Sequence, residues 1–351
     1  MELQECLQQA VDTGASDIFI VAGLPVSLRK NGNIVQLGEE KLLPSATEHM
    51  LTAIYQCAGN RDMQILYENG DDDFSFAVGG LSRFRVSAYK QRGSLSAVIR
   101  IITFDLPDAV TLHIPEYVLH LGEGGKGMIL VTGPAGSGKS TTLACMIDQI
   151  NRHQNKHIIT LEDPLEYLHQ HAKSVVSQRE INVDTENYVS ALRAALRQSP
   201  DVILLGEMRD HETIEVAMTA AETGHLLLST LHTIGAANTI DRIIDVFPAN
   251  QQRQIGVQLS TVLNAVVSQQ LVPTVDGRLV PALEIMTVTP AIRNMIRDNK
   301  IPQIDGVLYS SMKEDMISMD GSLLNLYRQG LITRDTALKY ATNADMLGKK
   351  L

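Results

Sequence analysis

The chain has 351 residues, enough for two domains, and its 44% hydrophobic content excludes disorder and suffices for buried cores. A net charge of −10 argues against a general binder of phosphate backbones, and the longest apolar runs fall far short of the roughly 18 residues that a bilayer span requires. Its three cysteines, Cys6, Cys57 and Cys145, match no zinc or disulfide spacing and are expected to be reduced thiols in the core.

In chain order, the acidic start Met1-Glu2-Leu3-Gln4-Glu5 lacks the basic and apolar regions of a signal peptide, so a cytoplasmic location is expected. The first hundred residues hold short alternating segments, such as Asp17-Ile18-Phe19-Ile20-Val21 and Phe84-Arg85-Val86-Ser87-Ala88-Tyr89. Turn pairs Asn31-Gly32 and Gly79-Gly80 punctuate them, which predicts a small α+β domain. The pattern breaks at Phe104-Asp105-Leu106-Pro107, setting a boundary near 105, with one domain at 1–105 and a second at 106–351. Beyond it, strands predicted at 128–132, 157–161, 202–206 and 225–231 alternate with helical stretches. That is the signature of an α/β fold with a largely parallel sheet, whose site residues are expected at the carboxyl ends of the strands.

Immediately after the first of these strands, Gly133-Pro134-Ala135-Gly136-Ser137-Gly138-Lys139-Ser140 fills the pattern G-x-x-x-x-G-K-[ST], followed by a predicted helix. The glycines permit positive φ, so that successive N–H groups face a phosphate, and the helix N-terminus adds partial positive charge. Lys139 is expected to reach the β and γ phosphates, Ser140 to place its hydroxyl on Mg²⁺, and Thr141 to donate to the α-phosphate. A glycine turn with no ligand is the bland alternative, but chance produces the whole pattern in only about one chain in a hundred of this length.

The strand at 157–161 runs into Glu162-Asp163-Pro164, two acids suited to Mg²⁺ and its water, or else a solvated turn stopped by proline. The strand at 202–206 resembles a Walker B strand whose final aspartate has become Gly206. Glu207 is then the candidate base, while Arg209 and Asp210 read as an exposed ion pair opening the next helix. At the end of the fourth strand, His232 is a candidate γ-phosphate sensor, although a lone histidine is more often structural. His153, His157, His169 and His171 have no ligand spacing and read as surface or structural. The segment 184–199 reads as an amphipathic helix in which Arg193 and Arg197 form either an anion site or, the preferred reading, a solvated basic stripe.

Taken together, the loop 133–141, the segment Ile159 to Tyr167, the segment Asp201 to Asp210 and the segment Thr223 to Thr233 resemble the Walker A, Asp box, Walker B and His box motifs of the secretion ATPase superfamily. Ala291-Ile292-Arg293-Asn294-Met295-Ile296-Arg297 is similar to the AIRNLIR motif of its type IV pilus retraction branch. The resemblance implies a homohexameric ring, each subunit having a PAS-like N-terminal domain and a RecA-like ATPase domain, with ATP and Mg²⁺ as ligands. It further implies that arginines of the N-terminal domain, here Arg83 and Arg100 with Arg92 a weaker match, approach the phosphates. The mechanical partner would be a pilus platform protein of the inner membrane, so that the motor sits in the cytoplasm, peripheral to the membrane and bound there only through that partner. No nucleic acid is expected. Phe19 stands where relatives usually carry histidine, and Met312, Met316 and Met319 are expected on one buried helical face in a segment that departs from the family. Rival readings are an accessory retraction, type II secretion or extension motor, a nucleotide-dependent regulator with little turnover, and, disfavoured by acidity, a nucleic-acid translocase.

Overall fold

The computed structural model describes residues 2–30, 32–102, 106–311 and 315–351. Asn31 of the first turn pair, Phe104 and Asp105 at the expected boundary, and Met312 lie outside the described residues. The chain divides into two compact units, Met1–Asp105 with Glu166–Leu168, and Leu106–Leu165 with His169–Leu351.

In the first unit, helices α1 (Leu3–Asp12), α2 (Pro44–Cys57) and α3 (Gln64–Asn69) accompany six strands among the described residues. These are β1 (Asp17–Ile20), β2 (Ser27–Lys30), β3 (Asn33–Gln36), β4 (Asp71–Val78), β5 (Ser82–Gln91) and β6 (Ser94–Ile102). They pair antiparallel in the order β3-β2-β1-β6-β5-β4. Period-two alternation on β5 buries Phe84, Val86 and Ala88 and leaves Arg83 and Arg85 half-exposed, the pattern of a sheet with one covered face. Asp72 accepts from both Nε and Nη2 of Arg61 and from the Tyr55 hydroxyl, so this buried carboxylate is fully satisfied. Phe19 is half-buried with the Arg29 guanidinium 5.3 Å above its ring. Cys6 belongs to this core and its thiol is pushed up to about 11 by burial. Cys57 does not fit the core reading: it ends α2 exposed.

The second unit starts with α4 (Glu116–His120) and carries seven strands among the described residues. They are β7 (Gly127–Thr132), β8 (His157–Glu162), β9 (Val175–Glu180), β10 (Val202–Leu205), β11 (Leu226–Leu231), β12 (Leu263–Pro273) and β13 (Leu279–Thr287). The sheet order is β13-β12-β7-β11-β10-β8-β9, parallel except for the edge strand β13. Helices α5 (Lys139–His153), α6 (Tyr188–Ala195), α7 (His211–Glu222), α8 (Ala236–Asp245) and α9 (Ala249–Val262) cover both of its faces. Met128 and Leu130 of β7 pack with the core formed by α6 to α9, while Ile129 and Val131 meet Leu143, Met146 and Ile147 of α5. Burial on both sides explains why these strands read as unbroken apolar runs. α10 (Pro290–Arg297) turns Ile292 and Ile296 inward, and Arg293 donates to the Ser260 and Thr261 carbonyls in the last turn of α9. The chain closes with α11 (Gln303–Ser310), α12 (Met319–Arg328), α13 (Arg334–Tyr340) and α14 (Ala344–Gly348).

Two expectations are corrected here. Met316 and Met319 are buried but share no helical face, because Ile317 between them bridges to Ile285 beside the sheet and α12 starts only at Met319. The helix expected over 184–199 shortens to α6, because Asp184 accepts from the Glu180 amide in a turn and Asn187 caps the helix. Among the described residues no helix is long and apolar enough to cross a membrane.

Candidate active site

Four neighbouring parallel strands, β7, β11, β10 and β8, end side by side, and each delivers one part of the site. The glycine-rich loop follows β7, His232 follows β11, Gly206 and Glu207 follow β10, and Glu162 and Asp163 lie at the end of β8. Their alignment is set by register, since Leu231 pairs with Thr132 and Leu205 with Leu161. Ligands of open α/β sheets bind at this end of the strands.

The loop has the backbone an anion requires. Gly133, Gly136 and Gly138 have φ of 142°, 74° and 85°. At Gly133 a Cβ would lie 2.1 Å from the Gln269 carbonyl oxygen, so no other residue fits. α5 starts at Lys139 with Gly138 as an N-cap that offers no side-chain acceptor, whereas α6 and α7 are capped by the side chains of Asn187 and Asp210. With no side-chain cap, the start of α5 is suited to an anion. Ser137 Oγ is buried there without a hydrogen-bond partner, a further donor aimed at no protein group. Lys139 is buried, with Nζ donating to the carbonyls of Gly133 and Pro134 at 3.0 and 2.9 Å. Thr142 Oγ1 donates to Oε1 of Gln269 at 2.7 Å, fastening the helix to β12.

Glu207 is nearly buried, its side chain 14% exposed, and both its oxygens are engaged. Oε1 lies 2.7 Å from Arg209 Nη2 and Oε2 lies 3.4 Å from His232 Nε2. The expected Arg209–Asp210 pair is thus replaced: Arg209 turns to Glu207, which raises the guanidinium pKa further, and Asp210 caps α7 by accepting from the Thr213 amide. Burial, together with the charges of Glu207, Asp163 and Glu162, also pushes the Tyr188 phenol well above its usual value. The loop after His232 is bound in turn, Thr233 and Thr239 sharing a hydroxyl contact of 2.7 Å. Gly235 N donates to Ser268 Oγ, and Ala236 N donates to Oε1 of the buried Glu284, whose Oε2 accepts from Met319 N at 3.3 Å.

Residues 1–300 match the type II/IV secretion system protein family. The chain belongs to that family. This secretion-family ATPase is 42% identical over 341 residues to the type IV pilus retraction ATPase PilT of Pseudomonas aeruginosa, covering 97% of this chain and 98% of that one. It is 43% identical over 338 residues to a twitching motility protein of Neisseria gonorrhoeae, covering 96% and 89% of the two chains. A crystal structure of the pilus retraction motor PilT with bound ADP superimposes with a TM-score of 0.90 at 45% identity, covering 99% of each chain.

Within the family member, the second unit gathers the loop Gly133 to Thr141, Glu162, Asp163, Glu207 and His232, whereas Arg83 and Arg100 lie on β5 and β6 of the first unit. Arg100 Nε pairs there with Asp17 at 3.2 Å. Arg193 pairs with Glu212, and Arg197 donates to the Arg193 carbonyl, which fits the solvated stripe. His157 binds Ser177 Oγ and the Gln198 carbonyl, and His171 accepts from the Val176 amide, both structural. Sequence reasoning missed Gln269, Tyr188 and the Arg209 contact. Gln269 is more than a hundred residues from the loop it supports, and no local spacing signals it.

Proposed function

We propose that the chain is the ATP-hydrolysing motor of type IV pilus retraction, working as a homohexamer against a platform protein of the inner membrane from its cytoplasmic side. The observation that carries this reading is the conjunction of 42% identity to a retraction ATPase over 97% of this chain with a phosphate loop that follows β7 at the same end of the sheet where Glu207 follows β10. The roles follow from the chain's own chemistry. The loop amides and the uncapped start of α5 bind the phosphates, and Lys139 exchanges its loop carbonyls for phosphate oxygens. Glu207 orients water and accepts its proton, and His232, on the other oxygen of that carboxylate, links the state of the base to the loop leading into α8.

The donors near the loop fit Mg²⁺, a hard cation that prefers a hydroxyl, one or two carboxylates and water. Ser140, with Glu162 and Asp163 partly through water, would hold it, and when bound it would neutralise phosphate charge. The parts assigned to Arg83 and Arg100 rest on family resemblance and on the ability of arginine to stabilise a transferring phosphoryl group. Deleting the gene tests the reading directly: loss of a retraction motor leaves long or excess pili and no twitching, whereas a bald cell would assign the chain to extension instead.

A further inference from the structure

The side chain of Thr239, in the first turn of α8, is fully buried between the strand that leads into the phosphate loop and the loop that carries His232. Its hydroxyl oxygen lies 2.7 Å from the Thr233 hydroxyl and 2.7 Å from the Gly235 carbonyl oxygen. It also lies 3.4 Å from the hydroxyl of Thr132, a buried residue that immediately precedes Gly133. A hydroxyl carries one proton, and Gly235 O is the nearer of the two acceptors, Gly235 O and Thr132 Oγ1, so Thr233 is the donor in the other short bond. The bond to Gly235 is the ordinary backward bond of a threonine within a helix, whereas the bond from Thr233 joins α8 to the loop before it.

The exposure of His232 gives that bond its importance. The imidazole is 51% exposed while its Nε2 comes within 3.4 Å of Glu207 Oε2, so packing does not hold the ring and its place is set by the backbone that carries it. His232 directly follows β11, whose last residue, Leu231, pairs in register with Thr132 and accepts from Gly133 N at 3.2 Å. Past His232 the loop is pinned at its far end through the amides of Gly235 and Ala236, which donate to Ser268 and Glu284. At its near end, one residue after His232, the pin is the bond from Thr233 to Thr239.

We infer that Thr239 is a positioning residue for hydrolysis: its hydroxyl fixes Thr233 beside the root of the phosphate loop and so holds the His232 imidazole on Glu207. The inference rests on the roles given to Glu207 and His232 above. Thr239→Val removes the oxygen and keeps the branched shape, while Thr239→Ser keeps the oxygen. Steady-state hydrolysis by both is measured well below their thermal midpoints, alone and combined with His232→Ala. The expected kcat of Thr239→Val is about three- to tenfold lower, the factor equivalent to one hydrogen bond, with KM for ATP and ADP affinity within about twofold of normal. Thr239→Ser should stay close to wild type. Because Thr239 acts through His232, Thr239→Val should lower kcat no further in the His232→Ala background. A hydroxyl that only stabilises α8 moves the thermal midpoint and leaves kcat alone. A wild-type kcat in Thr239→Val therefore overturns the inference, as does an equal loss in both backgrounds or a Thr239→Ser enzyme as slow as Thr239→Val. Thr233→Val breaks the same bond from its half-buried end and is read by the same criteria should Thr239→Val not fold. If His232→Ala itself hydrolyses ATP at the normal rate, the role of His232 falls and this inference with it; if His232→Ala is impaired and Thr239→Val is normal, the positioning role alone falls.

Discussion

Glu207→Gln keeps the shape of the side chain and removes its charge and its capacity to take a proton. The structure separates the two consequences by size. The partners of Glu207 are largely in solvent, Arg209 74% exposed and His232 51%, so their ion pairs are screened and contribute about 0–1 kcal/mol each. For a domain of this size, 1 kcal/mol moves the thermal midpoint by about 2–4 °C. A positioned base, by contrast, contributes about 10²–10⁴-fold to the chemical step, equivalent to about 3–5 kcal/mol of barrier. The variant should therefore lose at least about a hundredfold in kcat, while its midpoint stays within about 4 °C and ADP binds within a few-fold of normal. Steady-state phosphate release, measured across a range of protein concentrations beside thermal denaturation and an ADP titration, reads all three. Wild-type activity per subunit that rises with concentration to a plateau also reports assembly. Hydrolysis by the variant at the normal rate refutes the reasoning, as does a midpoint lowered by tens of degrees, which would make Glu207 a structural residue.

Gly133→Ala must push the loop off the Gln269 carbonyl, which a Cβ would approach to 2.1 Å, so nucleotide binding should weaken by about a hundredfold or more in an ADP titration while circular dichroism shows the fold intact. Gln269→Ala leaves the buried Thr142 hydroxyl unpaired, with an expected loss of about 1–3 kcal/mol in denaturant unfolding and weaker ADP binding, because α5 is no longer fastened to β12. Burial lowers the pKa of His169 from 6.5 to about 4, partly offset by the Asp148 charge, so the unfolded chain binds its proton first as the pH drops. Stability from this group is present above pH 6.5 and declines as the pH falls toward 4, by about 2 kcal/mol between pH 7.5 and 5. His169→Gln should flatten that part of the stability–pH curve in chemical denaturation.

How much could be read without coordinates depends on the distance over which each contact acts. The loop 133–141 is legible because its glycines, Lys139 and Ser140 act on one ligand within nine residues. The strands around Met128, Ile159, Val202 and Leu226 are legible because burial on both faces leaves a continuous apolar run. Tyr188 and Gly206 are not legible as a pair: one opens a helix, the other ends a strand, and only the packing of α6 over the strand ends makes them neighbours. Asp210 misled for a related reason. An acid next to an arginine suggests an ion pair, but an aspartate three residues before a helical amide is worth more as an N-cap, which freed Arg209 for Glu207. Met316 and Met319 show the limit of periodicity, since helical spacing also arises outside a helix, here on either side of the bridge at Ile317.

Glu284 gives the molecule a mechanical joint. One buried carboxylate holds the first amide of α8, four residues past His232, and the first amide of α12. Pulling the two helices apart would strand a buried amide at about 1–3 kcal/mol, more than thermal energy supplies. The starts of α8 and α12 are thus held as a pair by one side chain. The closing helices α12 to α14 share a core with β12 and β13, so the Glu284 joint also ties them to the sheet.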